Sequence, residues 1–463
     1  MMIQSLCKPF IKRIHYLGIG GAGMSPLAEL MSRHGYEVTG SDRYHSAASK
    51  NLEKCGIRIQ YCHTPDLIRD AQLVVYSSAV REDNPERVYA KKKGIRMMRR
   101  AEFLGEIMRM YFTICISGTH GKTTTTSLVG TILMNAGLDP TILVGGMLKE
   151  KESHAVIGKS SLLIAESDEY DRSFLAMYPT IAVITNVDAD HLECYGTYDA
   201  ICDGFVEFTR KVPFYGVVIA CSDDPGVRKI LPRIEARTIT YGLESNADFS
   251  ATDIQYVNGI PRFNVLSKGK KLGMVQLGIP GAHNVLNALA AVACAVEMGV
   301  LMVKIASGLE PFTGVRRRFE IISNKNGITI VDDYAHHPNE IRATLAAARK
   351  CAFSRVIAVF QPHLYSRTIQ FMDDFAEVLQ GADMVFVTEI YKAREEPVPG
   401  VTSATIVEMI NNRANGMAKF VSDLKDLPQE LSSVVKEGDG VVFMGAGDIW
   451  EYAVALKEDV ENG

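Results

Sequence analysis

The residues best suited to chemistry are Gly118-Thr119-His120-Gly121-Lys122-Thr123-Thr124, behind an apolar run from Phe112 to Ile116 and ahead of a helical stretch, Thr123 to Ala136. A strand, a glycine turn, a lysine and a hydroxyl at a helix start make a phosphate cradle, because backbone N–H groups and the helix dipole point at the anion. This arrangement predicts a bound nucleoside triphosphate. The full motif G-x-x-x-x-G-K-[ST] needs glycine at position 116, where this chain has isoleucine. On this segment alone, an ordinary turn with a solvated lysine stays open.

Two further apolar runs end in acidic blocks. Leu162 to Ala165 leads into Glu166-Ser167-Asp168-Glu169-Tyr170-Asp171, and Ile181 to Thr185 into Asn186-Val187-Asp188-Ala189-Asp190-His191. Open α/β sheets bind ligands at the carboxyl ends of their strands. A triphosphate brings Mg²⁺, and Thr123, Glu166 and His191 have suitable ligand types. The competing reading is that these acids cap helices. Nearer the N-terminus, Gly18-Ile19-Gly20-Gly21-Ala22-Gly23 follows the run Ile14 to Ile19, and Asp42 follows Val38-Thr39-Gly40-Ser41. Glycines of this spacing let a backbone approach a pyrophosphate while the acid takes a ribose hydroxyl. The residues leave two occupants open, NAD or a nucleotide-linked substrate.

These motifs sit on a chain of 463 residues, long enough for about three domains at ~150 residues each. Apolar runs alternate with helical stretches almost throughout, which predicts βαβ units and parallel sheets. Asp248 to Leu277 is the exception, alternating polar and apolar residues around Asn258-Gly259 and Lys268-Gly269, as in a small antiparallel meander. Domain joints are expected near the charged, helix-like segment Met98 to Met110 and near Pro311-Phe312-Thr313-Gly314. A net charge of −4 gives no basic face for nucleic acid. The nine cysteines form no C-x-x-C pair, as expected of reduced thiols in a cytoplasm. The run before Lys12-Arg13 is too short for a signal peptide, and no apolar stretch is long enough to span a membrane.

Further motifs follow in order: Gly281-x-His283-Asn284-x-x-Asn287-Ala288, Arg317-Arg318-Phe319-Glu320, Asp332-Asp333-Tyr334-x-His336-His337-Pro338, Gln361-Pro362-His363-x-Tyr365-x-Arg367-Thr368 and Met444-Gly445-Ala446-Gly447-Asp448. With the lysine loop, the Glu166 block and Asn186-x-x-x-Asp190-His191, they make the chain resemble the Mur ligase family over nearly its whole length. Among the family's branches it is most similar to the one that joins L-alanine to the lactyl carboxylate of UDP-N-acetylmuramate in peptidoglycan precursor synthesis. The branch that attaches a whole murein peptide during recycling is the alternative. An NAD(P)-dependent oxidoreductase built on the glycine fingerprint is a more distant one.

The resemblance implies an α/β fold of three domains: a Rossmann-like domain at 1–107 for UDP-N-acetylmuramate, a central P-loop ATPase-like domain at 108–312 with the antiparallel insertion, and a Rossmann-like domain at 313–463 for the amino acid. It places the UDP-sugar on Gly18, Gly20, Gly21, Ala22, Gly23, Asp42, Ser77 and Ser78. It places ATP on Gly118, Thr119, His120, Gly121, Lys122, Thr123 and Thr124, with His283, Asn284 and Asn287 near adenine and Arg317, Arg318 and Asp333 completing the site. Catalysis is implied for Lys122, Glu166, His191, Arg317 and His363, Mg²⁺ (with Mn²⁺ as a substitute) on Thr123, Glu166 and His191, and L-alanine against Tyr334, His363 and Arg367. The partners implied are small molecules alone, with no nucleic acid or membrane, for a cytoplasmic monomer or weak homodimer. One departure stands out. Relatives acting later in the pathway carry a lysine, modified to a carbamate, roughly fourteen residues after the histidine, and Asp203-Gly204-Phe205-Val206-Glu207-Phe208 holds none.

Overall fold

The computed structural model describes residues 10–149, 153–190, 192–244, 246–393, 395–414 and 416–462. The apolar runs fold into parallel strands whose side chains are buried on both faces, as sheets covered by helices require. The first sheet runs in the order Arg58–Gln60, Glu37–Ser41, Arg13–Leu17, Leu73–Tyr76, Arg96–Arg99. Strand order reverses beside Arg13–Leu17, and the glycine turn leaves from the carboxyl end of that strand, where such sheets open a crevice.

The second sheet is centred on Phe112–Ser117, flanked by Ile181–Ile184 and Leu162–Glu166 in parallel pairing. Val217–Cys221 and Thr238–Gly242 extend it on one side, Thr141–Leu148 and the antiparallel Ser153–Val156 on the other. A six-stranded sheet follows in the order Glu320–Lys325, Ile328–Asp333, Asp439–Met444, Arg355–Phe360, Met384–Thr388, Ala418–Val421, parallel except at its first pair. The chain forms two compact units. One holds the described residues up to Phe249 with Ala290–Gly308, the other Ser250–Leu289 with the chain from Leu309 onward.

The meander forms as the sequence predicts, as Phe249–Val257, Ile260–Ser267 and Lys270–Gln276. Asn258 and Gly259 (φ 50° and 77°) and Lys268 and Gly269 (φ 48° and 75°) are left-handed pairs, the two-residue turns whose twist matches the strands they join. The charged segment from Met98 to Met110 is not one helix: Arg96–Arg99 pairs as the edge strand of the first sheet, and the helix is Arg100–Met108. That helix lies against the segment Tyr170–Ala176 so closely that a Cβ on Gly105 would run into the Ala176 carbonyl. Tyr16 meets Phe103 of the same helix edge-on at 6.0 Å, so one apolar core continues beneath both sheets of the first unit. No helix among the described residues is long and apolar enough to cross a membrane.

Candidate functional site

Ile116 is wholly buried inside the strand Phe112–Ser117, so the missing glycine is no defect of a loop. The loop is simply short. It runs from Gly118 (φ 134°) to Gly121 (φ 81°), and the helix begins at Lys122. A Cβ at Gly118 would collide with the Thr185 hydroxyl, which fixes that position as glycine on packing as well as on backbone grounds. Asn186 braces the turn: its Oδ1 accepts from His120 N at 2.7 Å, and Thr119 N donates to its backbone oxygen at 3.3 Å. Thr124 is half-buried on the next position of the helix.

Lys122 Nζ donates to Gly118 O at 2.7 Å, Thr119 O at 3.1 Å and Glu169 Oε2 at 2.7 Å, with Asp168 Oδ1 3.6 Å away. Burial alone would lower the lysine's proton affinity, but the carboxylates of Glu169 and Asp168 outweigh it and hold the ammonium above its ordinary range. Thr123 Oγ1 donates to Glu166, lying 3.0 and 2.9 Å from its two oxygens, and Gly145 N donates to Glu166 Oε2 at 2.8 Å. A hydroxyl beside a half-buried carboxylate at a strand end is an oxygen donor set suited to a hard divalent cation. His191, the third expected ligand, lies outside the described residues.

A cavity of about 320 Å³ joins this corner to the first sheet. Gly21, Ala22, Gly23, Ser77 and Arg100 line one side, Gly145, Glu166 and Asp168 another. Gly18 (φ 75°) turns the chain, and Gly20 N donates to Asp42 Oδ2 at 2.7 Å, so Asp42 braces the glycine turn directly. Ser78 is exposed beside Ser77. Arg100 carries no motif, and in the sequence it reads as a solvated charge of the segment Met98 to Met110; the structure instead turns it into the cavity. A Cβ on Gly23 would lie 3.0 Å from its Cδ, so the glycine makes room for the arginine as well as for any ligand.

The second unit gathers another cluster at the carboxyl ends of its strands. Arg317 (φ 59°) donates from Nη2 to Gly445 O at 2.6 Å, its Nε lies 3.4 Å from Asp332 Oδ2, and its guanidinium sits 5.0 Å from the Tyr334 ring centre; Arg318 sits 5.3 Å from the same ring. Asp333 accepts from Phe319 N and Ala335 N, both at 2.8 Å. Burial pushes Asp332 up to about 7, with Arg317 opposing only in part, and Asp333 up to about 6. His336, which the sequence reading left without a role, links Tyr334 (5.3 Å between ring centres) to His363 (5.9 Å). Arg367 Nη1 lies 3.3 Å from His363 Nδ1, and Tyr391 stacks on the imidazole at 5.8 Å.

His337 is the N-cap of the helix Pro338–Lys350, with Glu340 completing a capping box. The pair expected near adenine is stitched together: Asn284 Nδ2 donates to Pro280 O at 2.6 Å and Asn287 Nδ2 to Asn284 Oδ1 at 2.9 Å. Their neighbour His283 is exposed at the helix start.

Three family models match in chain order: the Mur ligase family catalytic domain over residues 13–112, the Mur ligase middle domain over 116–295 and the Mur ligase glutamate ligase domain over 317–447. This chain belongs to the Mur ligase family. Mur ligases are ATP-dependent enzymes that form C–N bonds. The chain is 46% identical to a UDP-N-acetylmuramate–L-alanine ligase of Trichlorobacter lovleyi, over 96% of this chain and 98% of that protein. A protein of the same name in Geobacter sulfurreducens is also 46% identical, with 98% of each chain covered. Among solved structures it is similar to the UDP-N-acetylmuramate–alanine ligase of Thermotoga maritima, with TM-score 0.81 and 30% identity over 97% of this chain and 99% of that one. A murein peptide ligase of Psychrobacter arcticus gives TM-score 0.69 and 27% identity over 98% and 99%.

Proposed function

We propose that this Mur ligase joins L-alanine to the lactyl carboxylate of UDP-N-acetylmuramate at the expense of ATP. The observation that carries the reading is the cavity, in which a glycine turn and Arg100 face Glu166, the carboxylate that accepts from Thr123 beside Lys122. A diphosphate on Gly21 to Gly23 would leave its sugar arm reaching toward the phosphoryl donor. The relatives named above as UDP-N-acetylmuramate–L-alanine ligases support it, and the murein peptide ligase is less similar than the Thermotoga maritima structure in both fold and sequence. In this reading residues 1–107 hold the sugar nucleotide, 108–312 ATP and 313–463 the amino acid.

A carboxylate is a poor electrophile. The lactyl oxygen therefore attacks the γ-phosphorus, ADP leaves, and the acyl phosphate so formed is attacked by the amine of alanine; the tetrahedral intermediate collapses with loss of phosphate. Negative charge gathers on oxygen at each stage, and Lys122 and Arg317 meet it. Thr123 and Glu166, with His191 as a third candidate, would hold Mg²⁺ or Mn²⁺, which when bound supplies a Lewis acid for the phosphoryl oxygens. His363 is the candidate to take the ammonium proton, and Arg367 to bind the alanine carboxylate with its planar fork. The eight described cysteines are free thiols, which suits a reducing, cytoplasmic setting. Phosphate release measured across amino acids tests the reading: it should require UDP-N-acetylmuramate, ATP, Mg²⁺ and L-alanine together. Full-rate release without the sugar nucleotide would overturn it.

A further inference from the structure

Glu169 holds the lysine of the loop, and the backbone that presents it is tightly constrained. Asp171 and Arg172 follow at φ 52° and 54°, left-handed conformations that non-glycine residues keep only where their surroundings impose them. Tyr195 donates its hydroxyl to Glu169 O at 2.8 Å, and Arg172 N donates to the same oxygen at 3.0 Å. Phe174, five residues on from Glu169, stacks on Phe208 at 5.1 Å and meets Phe205 edge-on at 5.2 Å. The carboxylate reaches Lys122 from this anchored segment at 2.7 Å, with side-chain exposures of only 12% for the lysine and 3% for the glutamate.

A lysine ammonium has three donors on a flexible stem, and here Gly118 O, Thr119 O and Glu169 Oε2 take one each. The two carbonyls belong to the loop itself. The Glu169 carboxylate approaches from a different strand end; its neighbour Asp168 lies farther off, at 3.6 Å, so among the described residues Glu169 is the side chain that hydrogen-bonds the ammonium and sets the direction in which the stem leans. Its second oxygen, Oε1, is buried with no hydrogen-bond partner among the described residues.

We propose that Glu169 is a positioning residue for Lys122: it sets the ammonium at the loop before nucleotide arrives, so that charge developing in phosphoryl transfer meets a donor already in place. The inference rests on the ligase reading above. A group that acts through a second group has no effect once the second is gone, so a double-mutant cycle decides the matter.

Glu169→Gln keeps the size and an acceptor oxygen but removes the charge. It should lower kcat about tenfold while the KM for ATP moves less than about threefold, and in a Lys122→Ala background the same change should alter kcat by less than about twofold. A purely structural role would reduce the active fraction equally in both backgrounds, and an equal loss in both, or no loss in the single variant, overturns the proposal. The same four proteins titrated calorimetrically with Mg·ATP need neither sugar nor alanine. There Glu169→Gln should change Kd about twofold to threefold with Lys122 present and not measurably with Lys122→Ala, and equal factors in the two backgrounds overturn the proposal. Absence of phosphate release by the wild-type chain with all substrates present would instead remove the ligase reading, leaving the calorimetric cycle to judge Glu169.

Discussion

The lysine loop and the arginine–histidine cluster both collect cations at the carboxyl ends of parallel strands, yet they restrain them differently. Lys122 is held by a carboxylate at 2.7 Å and two backbone carbonyls, so its charge is balanced where it stands. Arg317 and Arg318 share one aromatic ring, with Arg317 donating to Gly445 O and Arg318 a looser 3.8 Å from Glu340, and the acids nearest them, Asp332 and Asp333, are pushed by burial toward neutrality. The first arrangement fixes a cation in place. The second holds its guanidinium groups by longer, weaker charge contacts.

The contrast breaks first if Lys122→Ala costs less than about 10²-fold in kcat, the loss expected when a donor to developing charge is removed. Arg317→Lys should cost about tenfold, because lysine cannot reproduce the planar fork that reaches Gly445 O while lying over Tyr334. If steady-state assays gave the two variants equal losses, the distinction between tightly and loosely held charge would go. Arg367→Lys should raise the KM for L-alanine about tenfold with a smaller change in kcat, since a bidentate carboxylate contact becomes a single one. An unchanged KM would move the amino acid elsewhere.

Two smaller effects concern stability. Asp332 has its folded value raised, so the folded state favours the neutral carboxyl, and the stability this gives at low pH is lost as pH rises through about 7. Asp332→Asn cannot ionise, so calorimetric stability should fall less between pH 5 and pH 8 than in the wild type, by on the order of 1 kcal/mol. Equal slopes would clear Asp332 of this cost. His337→Ala should lose about 1 kcal/mol of stability through its cap with kcat unaltered, whereas a collapse in kcat would return His337 to the chemistry.

The lysine loop was legible because its function depends on local order: strand, glycine, lysine and hydroxyl within nine residues. The meander was legible for the same reason, through Asn258-Gly259 and Lys268-Gly269. Short and edge strands such as Arg58–Gln60, Arg96–Arg99 and Ala418–Val421 were not, because too few side chains alternate to set a period. Arg100 looked like one charge among several on a surface helix, and only the fold turns it into a cavity. Glu169 sat in an acidic block of which the sequence singled out Glu166 alone. The strand end points Glu166 toward Thr123, and the strained turn after it points Glu169 toward Lys122. His336 was hidden by its neighbour, which takes the helix cap and leaves it the ring contacts on either side.

Gly105 leaves no room for even one carbon between the helix Arg100–Met108 and the Ala176 carbonyl. The helix that carries Arg100 is thereby pressed against the segment that follows Glu166 in the chain, and both line or border the same cavity. Gly105→Ala would force that helix away from the segment and alter the width of the cavity without touching any residue that lines it.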